Sequence, residues 1–313
     1  MTEKVRHKGR LAQTFIYLGK FLRMFVYQND WKVLPMGAVI AGVVTFVVGN
    51  NLFVTQEGTL MGSFALVCVC IWNGFFNSIQ VVCREREIVK REHRAGLFMS
   101  SYIAAQMIYQ FLLCSAQTAV TITICRVVGV RFPAGGIVTP FGILDVGITI
   151  LLVTYAADMM ALMVSCIVRT TTTAMTVMPF LLIFQLVFSG GFFSLSGFAE
   201  KFTVLTISRW GLDSFCAIGR YNELPMVTLW NTVFKFRNIT VDGRKPLLDL
   251  ILSMQENDQV DDFLLWSGTY NTEPAYGSTL ASVLQNWGVL LLLGIVFAAA
   301  ATIALRSIDR DKR

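Results

Sequence analysis

The stretch that decides the fold is Leu60–Val82, LMGSFALVCVCIWNGFFNSIQVV, followed at once by CREREIVKREHRAGLF at Cys83–Phe98. The first part has no charged side chain, whereas eight of the first twelve residues of the second part are charged. A bilayer core needs about 20 mostly apolar residues per helix. The two parts together predict a transmembrane helix that runs into a charged segment outside the bilayer.

Five further stretches have the same length and apolar character, and they are Val33–Phe53, Ser101–Val128, Phe141–Val168, Ala174–Phe193 and Asn286–Leu305. The whole chain is 55% hydrophobic and 15% charged, against about 25% charged residues in a typical soluble domain. This composition excludes an ordinary soluble enzyme, and it also excludes a disordered chain. Because lipid offers no partner to unpaired backbone groups, we expect an all-α membrane protein with six transmembrane helices.

The distribution of charge predicts the orientation. Seventeen of the 26 basic residues fall on one side of a six-span chain, namely in residues 1–32, in the loop 83–98, at Arg169 and after the last span. By the positive-inside rule both termini are cytoplasmic, in a multi-pass protein that we expect in the plasma membrane. The net charge of +6 is then a topology signal and needs no nucleic-acid partner.

The expected organisation follows from these spans. It comprises a cytoplasmic N-terminus at 1–32, transmembrane helices one to five at 33–193, an external segment at 194–285, a sixth helix at 286–305 and a cytoplasmic tail at 306–313. In the N-terminal part, apolar residues recur every three or four positions at Leu11, Phe15, Leu18, Leu22 and Phe25. This spacing predicts an amphipathic helix in the plane of the interface. Such a helix is either a membrane anchor or an element that receives force from a cytoplasmic partner.

Polar and aromatic residues inside the spans are candidate functional positions. Amides there either join helices or line a cavity. We favour helix joining for the glutamines of the third span, which are Gln106, Gln110 and Gln117. Both interpretations stay open for Asn73 and Asn77 on the second span and for the i+4 stripe Phe180, Phe184, Phe188 and Phe192 on the fifth. Asp158 in the fourth span is either a functional site or a hydrogen-bond hub.

Several kinds of chemistry have no motif in the sequence. It contains no G-x-x-x-x-G-K-[ST] phosphate-binding loop, only two histidines, and no nucleophile–base motif. The seven cysteines have no zinc-ligand spacing. We therefore expect no catalytic residue, metal site or bound cofactor in this chain.

Five segments carry a resemblance to a known family. The segment Arg84–Leu97 resembles the first intracellular loop of ABCG-like (type V) ABC exporter permeases, and it is most similar to the membrane domain of bacterial forkhead-associated-domain ABC transporters. The FSGGFFSLSG segment at Phe188–Gly197, with SRWGLD at Ser208–Asp213 and YNEL at Tyr221–Leu224, resembles the region where the family chain re-enters the membrane. Thr14–Asp30 is similar to the family's connecting helix.

The resemblance implies a fold and a function. It implies re-entrant short helices after the fifth span, and two permease chains, like or unlike, that pair within membrane lipid around a cavity. Separate ATP-binding-cassette subunits would bind ATP and Mg and perform the hydrolysis. The complex would export an amphipathic, lipid-like or peptide substrate from the cytoplasmic side or inner leaflet outward.

The resemblance also implies roles for particular residues. The implied substrate-cavity residues are Asn73, Phe76, Asn77, Phe184 and Phe188. The implied ATPase-coupling residues are Lys20, Arg23, Glu85, Glu87 and Arg91. Glu85 or Glu87 would pair with Lys20 or Arg23 and so tie the loop to the connecting helix.

Two other functions compete with the exporter permease. A non-transporting sensor or scaffold with a ligand-binding external segment would account for the long segment 194–285. It would not account for the dense mixed charge of the loop 83–98. An intramembrane enzyme is disfavoured because the nucleophile–base motifs are missing.

Overall fold

The computed structural model describes residues 9–27, 30–191, 197–240 and 243–306. These residues form α-helices, short 3-10 turns and loops, and no β-strand occurs among them, which confirms the all-α expectation. Phe192, the expected end of the fifth span at Phe193, and the tail beyond Arg306 lie outside the described residues.

The helices have the following bounds in chain order: α1 Arg10–Tyr27, α2 Val33–Val48, α3 Gln56–Ser78, α4 Val81–Arg94, α5 Met99–Val128, α6 Gly142–Ile167, α7 Thr171–Val187, α8 Phe198–Thr203, α9 Ile207–Ile218, α10 Thr228–Lys235, α11 Pro246–Glu256, α12 Val260–Gly268 and α13 Leu280–Arg306. Single 3-10 turns occupy Asp30–Lys32, Tyr221–Glu223 and Pro274–Tyr276.

Among the described residues, four helical stretches are long and apolar enough to cross a bilayer: Gln56–Arg94, which contains α3 and α4, then α5, α6 and α13. The apolar helices α2 and α7 have 16 and 17 residues, or about 24–26 Å at 1.5 Å per residue. The first expected span therefore ends early, because the chain leaves the helix at Gly49 and turns through 50–54 instead of continuing to Phe53.

Local sequence explains the other boundaries. The hydroxyl of Thr55 accepts a hydrogen bond from the Gly58 N–H at 3.1 Å and caps the start of α3. Gly129, with φ of +94°, ends α5 in the left-handed conformation that glycine adopts without strain. Two non-helical residues, Ile79 and Gln80, separate α3 from α4, so the second span ends four residues earlier than Val82.

The centre of the bundle is the contact between α3 and α6. At Gly74 a Cβ atom would lie 2.9 Å from Cβ of Ala157 and 2.8 Å from the backbone nitrogen of Asp158. Only glycine permits this approach, as at small-residue contacts between membrane helices generally. Helices α9 and α13 complete the main core around α3 and α6. The apolar surfaces of α5 and α13 stay largely exposed, which suits contact with lipid.

The bundle has two different ends. One end, called here the α4 end, holds α1, α4, the loop 95–98 and the last turn of α6. At the opposite end, called the α9 end, the start of α3 contacts the segment after α9. Glu57 accepts hydrogen bonds from the N–H groups of Val227 and Thr228 at 2.9 and 2.7 Å. Gln56 donates to the carbonyl of Gly268 at 3.0 Å.

A carboxylate fixes the loop between α5 and α6 at the α9 end. Asp145 is fully buried, and it accepts hydrogen bonds from the backbone N–H groups of Ile137, Val138 and Thr139 at 2.6–2.9 Å. Its role is thus to hold its own loop against the start of α6.

Helix α9 is packed inside the bundle and not on its surface. Ile207, Leu212 and Phe215 are fully buried in the main core. The side-chain oxygen of Gln185 on α7 accepts hydrogen bonds from the N–H groups of Ile207 and Ser208 at 2.9 and 3.2 Å. This amide satisfies two of the free donors at the start of α9 and joins α7 to it.

Candidate functional site

The N-terminal half of α1 is bound to the loop that joins α4 to α5. The amide of Gln13 donates to the carbonyl of Gly96 at 3.1 Å and accepts from the N–H of Phe98 at 3.0 Å. The hydroxyl of Ser101 donates to the carbonyl of Arg10 at 3.0 Å. The Arg10 guanidinium lies 5.0 Å from the centroid of the Phe98 ring. Together these contacts fix the position of α1 against the α4–α5 loop.

An ion pair joins the middle of α1 to α4. The Lys20 ammonium lies 3.4 Å from the Glu85 carboxylate, whose side chain is 10% exposed, against 32% for Lys20. One turn earlier, the Tyr17 hydroxyl donates to Glu92 at 2.6 Å. Burial, and then this hydrogen bond, raises the pKa of the Tyr17 phenol, so the phenol stays a donor at neutral pH. Of the four pairings considered from the sequence, the structure contains Lys20–Glu85.

Helix α4 is anchored on the end of α6. The Ser165 hydroxyl accepts hydrogen bonds from the N–H groups of Val82 and Cys83 at 3.1 and 3.3 Å, where α4 begins. The Arg86 guanidinium donates to the carbonyls of Cys166 and Val168, both at 3.0 Å. Because α6 is a central helix, these hydrogen bonds connect α4 directly to the core of the bundle.

The three other implied coupling residues, Arg23, Glu87 and Arg91, lie on exposed surface. They are placed where a protein docked on α1 and α4 could reach them. An exposed charge of this kind contributes little to the stability of the bundle itself. Lys20 and Glu85 are thus part-buried between α1 and α4, whereas the other three charges lie on the outer face of these helices.

A cavity of about 140 Å³ lies between α1 and the membrane helices at the α4 end. Its wall contains two of the implied substrate-cavity residues, Phe76 and Asn77, and also Glu85 of the ion pair. The remaining wall residues come from α1, α2, α5, the start of α4 and the residue before it, and they are Phe21, Met24, Val33, Gln80, Val81, Arg84, Gln106, Tyr109 and Leu113.

Behind the cavity, Asn77 belongs to a buried polar cluster. Asn77 and Gln117 form a reciprocal amide pair, with N–O distances of 2.9 and 3.0 Å, that joins α3 to α5. The carboxyl of Asp158 on α6 accepts from the Cys114 thiol at 3.3 Å and from Asn77 at 3.5 Å. These contacts are those of a hydrogen-bond hub that connects three helices.

The other three implied cavity residues lie apart from this cavity. Asn73 packs against Gly37 of α2, where its side-chain oxygen is 3.1 Å from the position of a Cβ. Phe184 on α7 and Phe188, the residue after its end, are half-buried, with ring centroids 4.8 Å apart. Within one chain, Phe76 and Asn77 thus line the same cavity, whereas Phe184 and Phe188 do not line it.

Sequence reasoning missed several contacts that hold the site together. No sequence motif indicates the roles of Gln13, Tyr17 and Ser165, because each of them forms a hydrogen bond with a residue more than 70 positions away. Arg86 lies in the charged segment that the sequence analysis singled out. Its hydrogen bonds could still not be predicted, because its acceptors are backbone carbonyls. No cluster of histidine, cysteine and carboxylate side chains that could hold a metal occurs in the part of the chain that the structure describes.

Comparison with known proteins decides the family. Residues 16–218 match the ABC-2 type transporter family. This chain belongs to that family. The match begins inside α1 and ends at the last residue of α9. It therefore includes most of α1, the charged helix α4, the apolar helices α2, α3, α5, α6 and α7, and the packed helix α9. The expected relation to ABC transporter permeases is confirmed.

One relative with a described role is an ABC transporter ATP-binding/permease protein of Mycobacterium tuberculosis. It is 26% identical over 150 residues, which is 47% of this chain and 17% of that protein. The chain therefore spans less than a fifth of the length of the relative it matches.

Proposed function

We propose that this chain is the permease subunit of an ATP-driven exporter of the ABCG-like (type V) class. The observation that carries the proposal is the connection from α1 through Lys20–Glu85 to α4, and from α4 through Arg86 and Ser165 to the end of α6. An ATPase that pushes on α1 and α4 would move a central helix. Family membership favours this function over a sensor or a scaffold.

In this proposal six helices cross the membrane, namely α2, α3, α5, α6, α7 and α13. The α4 end is cytoplasmic, because it contains most of the basic residues that the positive-inside rule uses. The exposed apolar residues of α1, among them Leu11, Phe15 and Val26, would rest in the inner interface of the plasma membrane. Helix α9 would be the re-entrant element at the external end.

The ATP and Mg would bind to separate ATP-binding-cassette subunits, one for each permease chain. The relative from M. tuberculosis is by its name an ATP-binding/permease protein, which supports a partnership of these two activities. Arg23, Glu87 and Arg91 would contact the ATPase, while Lys20 and Glu85 would transmit its motion.

The substrate path would form where two permease chains pair within the lipid. Helix α7 and its C-terminal end present a suitable face, because Phe180 is 70% exposed and is followed at i+4 spacing by Phe184 and Phe188, whose rings contact each other at a tilt of 39°. With Asn73, Phe76 and Asn77 these rings would line the route of an amphipathic, lipid-like or peptide substrate toward the outer side.

Reconstitution tests the proposal. The chain is placed in lipid nanodiscs with its cognate ATPase, and ATP hydrolysis is measured with and without the permease. We expect stimulation of the ATPase by the permease and no hydrolysis by the permease alone. In inside-out vesicles, ATP should drive a labelled lipid into the lumen. Complex formation without stimulation or transport would instead support the scaffold function.

A further inference from the structure

The cavity under α1 has the size of a binding site for a small molecule. Its volume of about 140 Å³ is close to that of an engineered protein cavity of roughly 150 Å³ that binds benzene. Aromatic side chains from three helices, Phe21, Phe76 and Tyr109, form much of its wall. The cavity therefore suits one ring-sized apolar group.

One polar group in the wall lacks a partner. Gln106 is 1% exposed, and its side-chain oxygen has no hydrogen-bond partner among the residues that the structure describes. A buried acceptor without a partner is costly, and native structures rarely leave one. A half-turn of the amide exchanges its oxygen and nitrogen, so Gln106 can offer either an acceptor or a donor to an occupant. A hydroxyl group can pair with both.

The same wall belongs to the connection between α1 and α4. Phe21 and Met24 come from α1, and Glu85 is the partner of Lys20. A molecule in the cavity would contact α1 on one side and α3 and α5 on the other. Since a ligand that binds only the folded arrangement stabilises it, occupancy would hold α1 more firmly in place.

We propose that this cavity binds a small amphiphile with one ring-sized apolar group and a hydroxyl head group that is hydrogen-bonded to Gln106. The site shares Phe76 and Asn77 with the proposed substrate route, but it goes beyond the proposed transport function because it lies within one chain and its occupancy requires neither the ATPase nor transport. Its occupant stabilises the packing of α1 on the membrane helices.

Two fluorinated probes of similar shape test the proposal. The permease is placed in phosphatidylcholine nanodiscs, and 4-fluorobenzyl alcohol or 4-fluorotoluene is titrated while the fluorine NMR signal is recorded. Empty nanodiscs give the background from partition into lipid. One net hydrogen bond predicts that the alcohol binds roughly three- to tenfold more tightly than the toluene.

Two matched substitutions assign the effect to the amide. Gln106→Leu should reduce the affinity for the alcohol to that for the toluene. Gln110→Leu is the control, because Gln110 is a buried glutamine of the same helix, also with an unpartnered oxygen, that lies outside the cavity wall. This control variant should keep the preference for the alcohol.

A third variant keeps the test decisive if Gln106→Leu does not fold. Phe76→Trp enlarges a wall residue that is 38% exposed, and it should remove saturable binding of both probes. Equal affinity of the two probes for the unchanged protein would overturn the proposal. So would unchanged alcohol binding in Gln106→Leu or in Phe76→Trp.

Discussion

Reversing the charge of Glu85 tests the connection between α1 and α4. At a separation of 3.4 Å the Coulomb energy of the Lys20–Glu85 pair is about 5 kcal/mol for an effective dielectric constant near 20. Desolvation of Glu85 and the exposure of a third of the Lys20 side chain offset most of it. We expect a net interaction of about 1–2 kcal/mol, or roughly a five- to thirtyfold change in an equilibrium constant.

The assay is stimulation of the cognate ATPase in nanodiscs. Glu85→Lys places two ammonium groups together, so it should lower the stimulation, and Lys20→Glu should do the same. The double reversal restores opposite charges and should recover part of the loss, as a double-mutant cycle measures. Glu87→Lys changes a proposed ATPase contact on the exposed side of α4, so it should lower the stimulation without loosening the assembly of α1 on α4, which thermal unfolding distinguishes from loss of the ion pair.

Three results would refute this reasoning. The first is full stimulation in both single reversals, and the second is an absence of recovery in the double reversal. The third is a loss of folded protein, measured by thermal unfolding, that accounts for the whole change in stimulation. Any of these results would show that the Lys20–Glu85 ion pair does not transmit force from the ATPase to the membrane helices.

Three further predictions concern the frame of the bundle. Gly74→Ala should lower the thermal stability in detergent, by about 1–3 kcal/mol, because α3 and α6 must separate, whereas Gly288→Ala has open space and should be neutral. Asp145→Asn weakens the acceptor of three backbone N–H groups, so limited proteolysis should cleave the α5–α6 loop faster; an unchanged rate would contradict its anchoring role. An impermeant thiol reagent added outside cells should label a cysteine at position 261 but not at position 93, and the reverse pattern would contradict the orientation.

The long helices could be predicted closely from the sequence. The third, fourth and sixth spans correspond to α5, α6 and α13, because uninterrupted apolar runs leave little choice in lipid. The predicted end of the first span at Phe53 was wrong, because α2 ends before Gly49. The turn that follows is flanked by apolar residues, and hydropathy alone cannot separate them from the helix. The orientation prediction also places Asp242 outside and Arg310 in the cytoplasm, and both positions lie outside the described residues.

The candidate site was predictable in kind but not in detail. The resemblance to the family implied an ion pair between α1 and α4, and of the two candidate bases the structure pairs Lys20 with Glu85 because that side of α1 faces α4. The rotation of one helix against another depends on packing with distant residues. For the same reason, the spacing of the polar residues on the second span could predict that Asn77 faces other helices but could not predict that its partner is Gln117.

The cap at the α9 end has a consequence for biosynthesis. Gln56 and Glu57 stand at the start of α3, yet their partners at Val227, Thr228 and Gly268 follow them by 170 to 212 positions. A ribosome has therefore made most of the chain before the carboxylate of Glu57 meets the N–H groups that it binds. In the proposed orientation, the second apolar helix enters the membrane before its outer end has found its hydrogen-bond partners, and the segment that carries those partners must cross the membrane before they can meet.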